Sequence, residues 1–165
     1  MATNSKPTGD ELTELAAEAA HLRARISTEK GDIVFTFYPA DAPQHSAAFI
    51  KLARAGFYDG LTFHRVEPGF VIQGGCPDGN GTGGPGYQID AEFNANPHIT
   101  GTVAMARSSN PNSAGSQFYI CLGDAPFLNR QYTVFGHVIE GQSVVNDIRK
   151  GDVMNTVAIE EKPAS

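Results

Sequence analysis

The 165-residue sequence predicts a mainly β fold, a closed antiparallel barrel capped by two α-helices and preceded by a short helical extension. Three observations carry that expectation. From residue 22 the apolar period changes to two, and short β-like runs then recur at short, even intervals. Gly (18) and Pro (10) are numerous and separate those runs with turns. Charged residues are only 18% of the chain, which argues against a helical bundle or a disordered acidic protein. A hydrophobic content of 41% suffices for one core without metal or disulfide staples.

Met1–Pro7 reads as a disordered tail. Thr8-Gly9-Asp10-Glu11 has capping-box spacing, and Leu12, Leu15, Ala16 and Ala19 then share one helical face, predicting a helix over Thr8–His21. Its stripe is narrow and mostly Ala, so light packing and no catalytic role are expected. Alternation begins at Leu22, and Leu22–Thr28 and Ile33–Tyr38 flank a Glu29–Asp32 turn as a hairpin. Pro39 and Pro43 stop it. Gln44–Ala55 is helical by pattern, with Gly56 as the stop. Short β-like runs follow at Thr62–Val66, Phe70–Gln73, Gly101–Met105, Gln117–Leu122 and Thr133–Val138. A helix over Ser143–Arg149, a strand over Val157–Glu160 and a polar tail complete the chain.

A net charge of −6 with no basic block opposes binding to nucleic acid, which needs the opposite sign on at least one face. No run approaches the ~20 apolar residues of a membrane span, and no secretory signal is present. Cys76 and Cys121 are too few for a disulfide scaffold and read as reduced thiols, so the expected location is cytoplasmic. Gly79-Asn80-Gly81-Thr82-Gly83-Gly84 fits a dinucleotide fingerprint, but Pro85 and Gly86 follow where a helix must start. As a calcium loop the same stretch fails at its twelfth position, Ile89 instead of a bidentate Glu. The five histidines lack metal-ligand spacing, and Ser116 lacks a nucleophile elbow. His64, between Phe63 and Arg65, reads as a satisfied structural group. No cofactor and no metal are expected.

What remains is a set of apolar and aromatic residues interleaved with a few polar donors. Taken singly, Arg65 reads as a surface cation and Phe70 and Val71 as ordinary core. In strand geometry, however, Val71 and Gln73 share a face that Arg65 can join across the intervening turn. Phe57-Tyr58-Asp59-Gly60, Phe63-His64-Arg65-Val66, Gly69-Phe70-Val71-Ile72-Gln73-Gly74-Gly75, Gly115-Ser116-Gln117-Phe118-Tyr119-Ile120 and Val134-Phe135-Gly136-His137-Val138 occur in that order. Together they resemble the cyclophilin family of peptidyl-prolyl cis-trans isomerases, in its short-loop bacterial form, over about Arg23–Glu161.

The resemblance implies an eight-stranded barrel with two capping helices, and a division into an extension (1–22), an isomerase domain (23–161) and a tail (162–165). It implies that Arg65 takes the catalytic place and that Phe70, Val71, Tyr119 and Leu128 line a proline pocket. Gln73, Ala106 and Gln117 belong to the groove, with a main-chain contact from Arg107. The implied partners are proline-containing peptides and unfolded or folding proteins, bound by a monomer. Four positions depart from the usual pattern: Val71 for Met, Tyr119 for Phe, Phe127 for Trp and Tyr132 for His. Loss of the indole at Phe127 implies reduced affinity for cyclosporin-type ligands. Tyr119 must place its hydroxyl in water or on a partner. The alternative is a proline-peptide binding module or chaperone without catalysis.

Overall fold

Eight strands are present: β1 (Leu22–Thr28), β2 (Gly31–Phe37), β3 (Arg65–Glu67), β4 (Val71–Gly74), β5 (Thr102–Met105), β6 (Phe118–Cys121), β7 (Val134–Glu140) and β8 (Thr156–Glu161). In the computed structural model, which describes residues 5–163, they form one antiparallel sheet ordered β3-β4-β6-β5-β7-β2-β1-β8. Helices α1 (Gly9–Ala19), α2 (Pro43–Arg54) and α3 (Gln142–Asp147) and a 3₁₀ turn (Pro126–Leu128) accompany it.

The sheet curls into a half-barrel, and the expected closure is not made by a ladder. β3 has three residues and ends at Pro68, which has no N–H to extend pairing, while β8 pairs only with β1. Coil crosses the seam instead. Thr62 bridges Val153, Phe63 N–H donates to Asp152 O (2.9 Å), and Met154 N–H donates to Leu61 O (2.8 Å). At the other outer position, Leu22 stands opposite Glu161, and Lys162 N–H donates to His21 O (2.9 Å).

Side-chain alternation sorts the sheet into two apolar groups. Val103, Met105, Phe118 and Ile120 face the main core with Phe35, Phe49 and Phe135. Val71, Ala104, Tyr119 and Cys121 face outward into a second cluster with Phe70, Leu128 and Tyr132. Both faces of β6 are therefore covered, and all four of its residues are buried. Phe49 of α2 is the aromatic centre of the main core. Its ring lies 4.8–5.9 Å from those of Tyr58, Phe35, Phe118, Phe135 and Phe37.

Two expectations at the N-terminus are corrected. The capping box does not form: Thr8 makes no side-chain cap to α1, and Glu11, its other half, accepts instead from Lys51 Nζ of α2 at 3.0 Å. Of the expected tail, residues 1–4 lie outside the described residues, but Ser5–Pro7 are not free. Pro7 is buried, Lys6 Nζ donates to Gln88 O, and Lys51 Nζ donates to Ser5 Oγ. The light packing of α1 is supplemented by ion pairs Glu11–Lys51 and Glu18–Arg54. Residues 164–165 of the C-terminal tail also lie outside the described residues. Helix α2 has Ala42 at its cap position, and its first N–H groups are met by a distant side chain. Gln44 and His45 N–H donate to the Glu92 carboxylate at 3.0 and 2.9 Å.

An ion-pair cluster crosses β1 and β8. Arg23 Nε and Arg25 Nη2 both donate to Glu160 Oε1, at 2.7 and 2.9 Å. The Arg25 bonds, then those of Arg23, outweigh burial and hold the Glu160 carboxyl below its ordinary 4.5. A depressed pKa contributes stability above the unfolded value and loses it as pH falls through the folded one. The urea midpoint should therefore drop between pH 6 and about pH 3, and Glu160→Gln should show a smaller drop than wild type. Equal acid losses in both proteins would refute this role of Glu160.

Candidate active site

A single rung of the sheet builds the site. Arg65 stands opposite Gln73, Gln73 opposite Tyr119, Tyr119 opposite Ala104, and Ala104 opposite Val134. Residues in one rung of an antiparallel sheet point to the same side, so five strands deliver these side chains together. Val71, two residues before Gln73, joins them on that face.

Above the rung lies a cavity of about 490 Å³. Phe70, Val71, Tyr119, Leu128 and Tyr132 supply its apolar wall, and Arg65, Gln73, Ala106 and Arg107 its more polar side. A second cavity of about 630 Å³ continues past Gln73, Ala106 and Arg107 and is lined there by Gln117 and the 81–88 loop. Phe127 lines neither cavity. It is 70% exposed in the 3₁₀ turn, and its ring stacks on Phe70 at 5.7 Å, so it forms a rim.

Hydrogen bonds hold the polar side in order. Gln117 Nε2 donates to the carbonyls of Gly81 and Gly83, both at 2.9 Å, which leaves its Oε1 to accept from Gln73 Nε2 at 3.2 Å. Gln73 Oε1 in turn accepts from Arg65 Nη1 at 3.2 Å. Backbone carbonyls thus fix two amide orientations and, through them, one edge of a guanidinium. Arg65 Nε lies 3.5 Å from Glu67, and the Arg65 side chain is 46% exposed. Arg107 is differently engaged. It donates to Gln131 O and Ser108 O and lies 4.5 Å above the Tyr132 ring, so its charge braces the wall.

Two histidines belong to this region and were not expected there. His64 lines the cavity, and its buried Nδ1 has no hydrogen-bond partner among the described residues, contrary to the expectation of a satisfied group. It directly precedes β3, which leaves it beside Arg65. Burial, then Arg65 and Lys150, lower its pKa and favour the neutral ring. His98 lies behind the cavity and supplies the Tyr119 hydroxyl with its partner at 2.7 Å. The Tyr-for-Phe departure signals that a partner must exist, but nothing in sequence spacing singles out residue 98. The loop behind Gln117 closes on Cys76, whose sulfur accepts from Gly83 N–H at 3.2 Å. Burial opposes ionisation of that thiol, but backbone N–H groups led by Gly83 outweigh it and lower the pKa.

The molecule is therefore a β half-barrel with a peptide-sized groove on its outer face. A family model for cyclophilin type peptidyl-prolyl cis-trans isomerase/CLD matches residues 23–164. A Synechococcus elongatus protein named peptidyl-prolyl cis-trans isomerase is 51% identical over 139 residues, covering 83% of this chain and 95% of that one. Peptidyl-prolyl cis-trans isomerase B of Bacillus subtilis is 52% identical over 130 residues, covering 78% and 90%. The crystal structure of a Cryptosporidium parvum cyclophilin type peptidyl-prolyl cis-trans isomerase, in the presence of the dipeptide Ala-Pro, superposes with a TM-score of 0.79 at 30% identity. That match covers 85% of this chain and 99% of the other. The chain belongs to the cyclophilin family of peptidyl-prolyl cis-trans isomerases.

Proposed function

We propose that the chain isomerises X-Pro bonds in peptides and folding proteins, with Arg65 as the catalytic residue and Phe70, Val71, Tyr119 and Leu128 holding the proline ring. The observation that carries this reading is the Gln117–Gln73–Arg65 hydrogen-bond chain, which presents an oriented guanidinium beside an apolar cavity. The Ala-Pro dipeptide present with the Cryptosporidium relative supports a proline ligand.

Twisting an amide costs roughly 18–20 kcal/mol because resonance is lost. No bond is made or broken, so the reaction needs neither a nucleophile nor a general acid. At the twisted geometry the proline nitrogen becomes pyramidal and exposes a lone pair. A guanidinium beside it donates a hydrogen bond that the planar ground state accepts poorly, which stabilises the transition state selectively. Arg suits this because it stays charged and its donors form a rigid fork. The apolar wall holds the ring while the preceding carbonyl turns, and Gln73, Ala106, Arg107 and Gln117 guide the flanking chain. Exchange spectroscopy on an Ala-Pro peptide tests the activity directly.

The catalytic unit in this reading is residues 23–161, preceded by an extension (1–22) and followed by a tail (162–165); the family match beginning at residue 23 supports that boundary. It acts as a monomer in the cytoplasm, a location supported by two cysteines that are both free. No helix among the described residues is long and apolar enough to cross a membrane. Cyclosporin-type ligands bind the groove weakly because Phe127 offers a ring without an N–H. Phe127→Trp should raise cyclosporin affinity about 3–10-fold, the worth of one hydrogen bond. A calorimetric titration with no gain would refute this account of the rim.

A further inference from the structure

A buried polar pair lies directly beneath the proposed proline pocket. The rings of His98 and Tyr119 stack 5.8 Å apart, and the Tyr119 hydroxyl lies 2.7 Å from His98 Nε2. On the other side of the imidazole, Nδ1 lies 3.2 Å from Asn129 Oδ1, which also accepts the His98 backbone N–H at 2.7 Å. That backbone donor requires an oxygen on Asn129, so Nδ1 carries a proton towards it. Nε2 therefore holds the lone pair, and Tyr119 donates. The protons are fixed in sequence from a backbone amide to the pocket floor.

His98 also holds the rim. Asn129 follows the Pro126–Leu128 turn, and Ala125 N–H donates to His98 O at 2.9 Å. We propose that His98 is a positioning residue for isomerisation, setting the Tyr119 floor of the pocket against the Phe127–Leu128 rim through its two ring nitrogens. This rests on reading the cavity as the proline site.

Protonated His98 would donate from both nitrogens. Tyr119 would then have to accept, and its hydroxyl proton would turn out of the pair. Burial lowers the His98 pKa below 6.5 and the Asn129 bond partly opposes that, so the pair is intact at neutral pH and breaks on the acid side. The titratable and charged groups around it are Cys121 and Asp124 near β6, and Tyr132, Arg107, Arg65 and His64 around the pocket. Burial raises the Tyr119 hydroxyl and pushes the Cys121 thiol up to about 12, so neither titrates in the same range.

The test measures kcat/KM and KM on an Ala-Pro peptide by exchange spectroscopy between about pH 5 and 8. His98→Leu should lower kcat/KM about tenfold at neutral pH, mainly through KM. His98→Gln, which keeps an acceptor, should recover most of that loss. In a Tyr119→Phe background His98→Leu should cost clearly less than in wild type, since only the Asn129 bond is left to lose. With His64→Gln in both proteins, so that the other imidazole at the pocket does not titrate, the acid loss should be absent from Tyr119→Phe. Equal effects of His98→Leu in both backgrounds, or an unchanged acid loss in Tyr119→Phe, would overturn the proposal. If His98→Leu does not fold, the pH comparison decides alone, since Tyr119→Phe removes one oxygen. Full activity in Arg65→Ala would instead sink the reading of the cavity, so the two failures are distinguishable.

Discussion

Arg65→Ala should lower kcat/KM on an Ala-Pro peptide by about 10²-fold while the protein stays folded. A charge-assisted hydrogen bond is worth roughly 1.5–3 kcal/mol, and each 1.4 kcal/mol is about tenfold in rate. The fold survives because Arg65 is half exposed and, among the described residues, bonds only to Gln73 and Glu67 at the surface. Arg65→Lys should recover little, since an ammonium supplies charge without the fork that Gln73 orients. Exchange spectroscopy gives the rate and circular dichroism the fold. Near-wild-type rates in Arg65→Ala would refute its assignment.

Phe49→Ala should have the largest effect on stability, a loss of about 3–5 kcal/mol. Its ring is fully buried and contacts five other aromatic rings from β2, β6, β7 and the segment after α2. No single neighbour can fill the resulting cavity without abandoning its own contacts. Urea denaturation measures the loss, and thermal unfolding should shift down by roughly 10–15 °C. A loss below about 1 kcal/mol would show that the core repacks around the gap.

Much of this architecture is legible in the residues, and the reasons it is legible are local. Period-two alternation marks the first hairpin, short β-like runs mark the later strands, and the glycine and proline punctuation places their ends within a few residues. At β6 strand geometry separates Phe118 and Ile120 from Tyr119 and Cys121, although all four are apolar and the sequence alone does not say which pair faces the core. The rung itself is half legible: Arg65 and Gln73 flank one turn, whereas Tyr119 reaches Gln73 only through a strand order that spacing does not encode. Contacts between distant segments escape in the same way. Glu92 caps a helix 47 residues earlier, and Asn129 meets His98 across 31. Closure fails for another reason. Strand propensity counts β-like residues at 62–66 as one strand, but Thr62 and Phe63 bond to coil at 151–153 across the seam, and the ladder begins only at Arg65.

The pairing of β1 with β8 has a consequence for how the molecule is made. Arg23 meets Glu160 across 137 positions, so the edge of the first hairpin finds its partner only after residues 156–161 have emerged from the ribosome. Closing a loop of that length costs about 4 kcal/mol in chain entropy, and non-local contacts of this kind slow folding. Until then β1 presents an unpaired backbone to every other nascent chain. Two arginines along that edge repel a second copy of the same hairpin, and the carboxylate of Glu160 later turns the same charges into a lock.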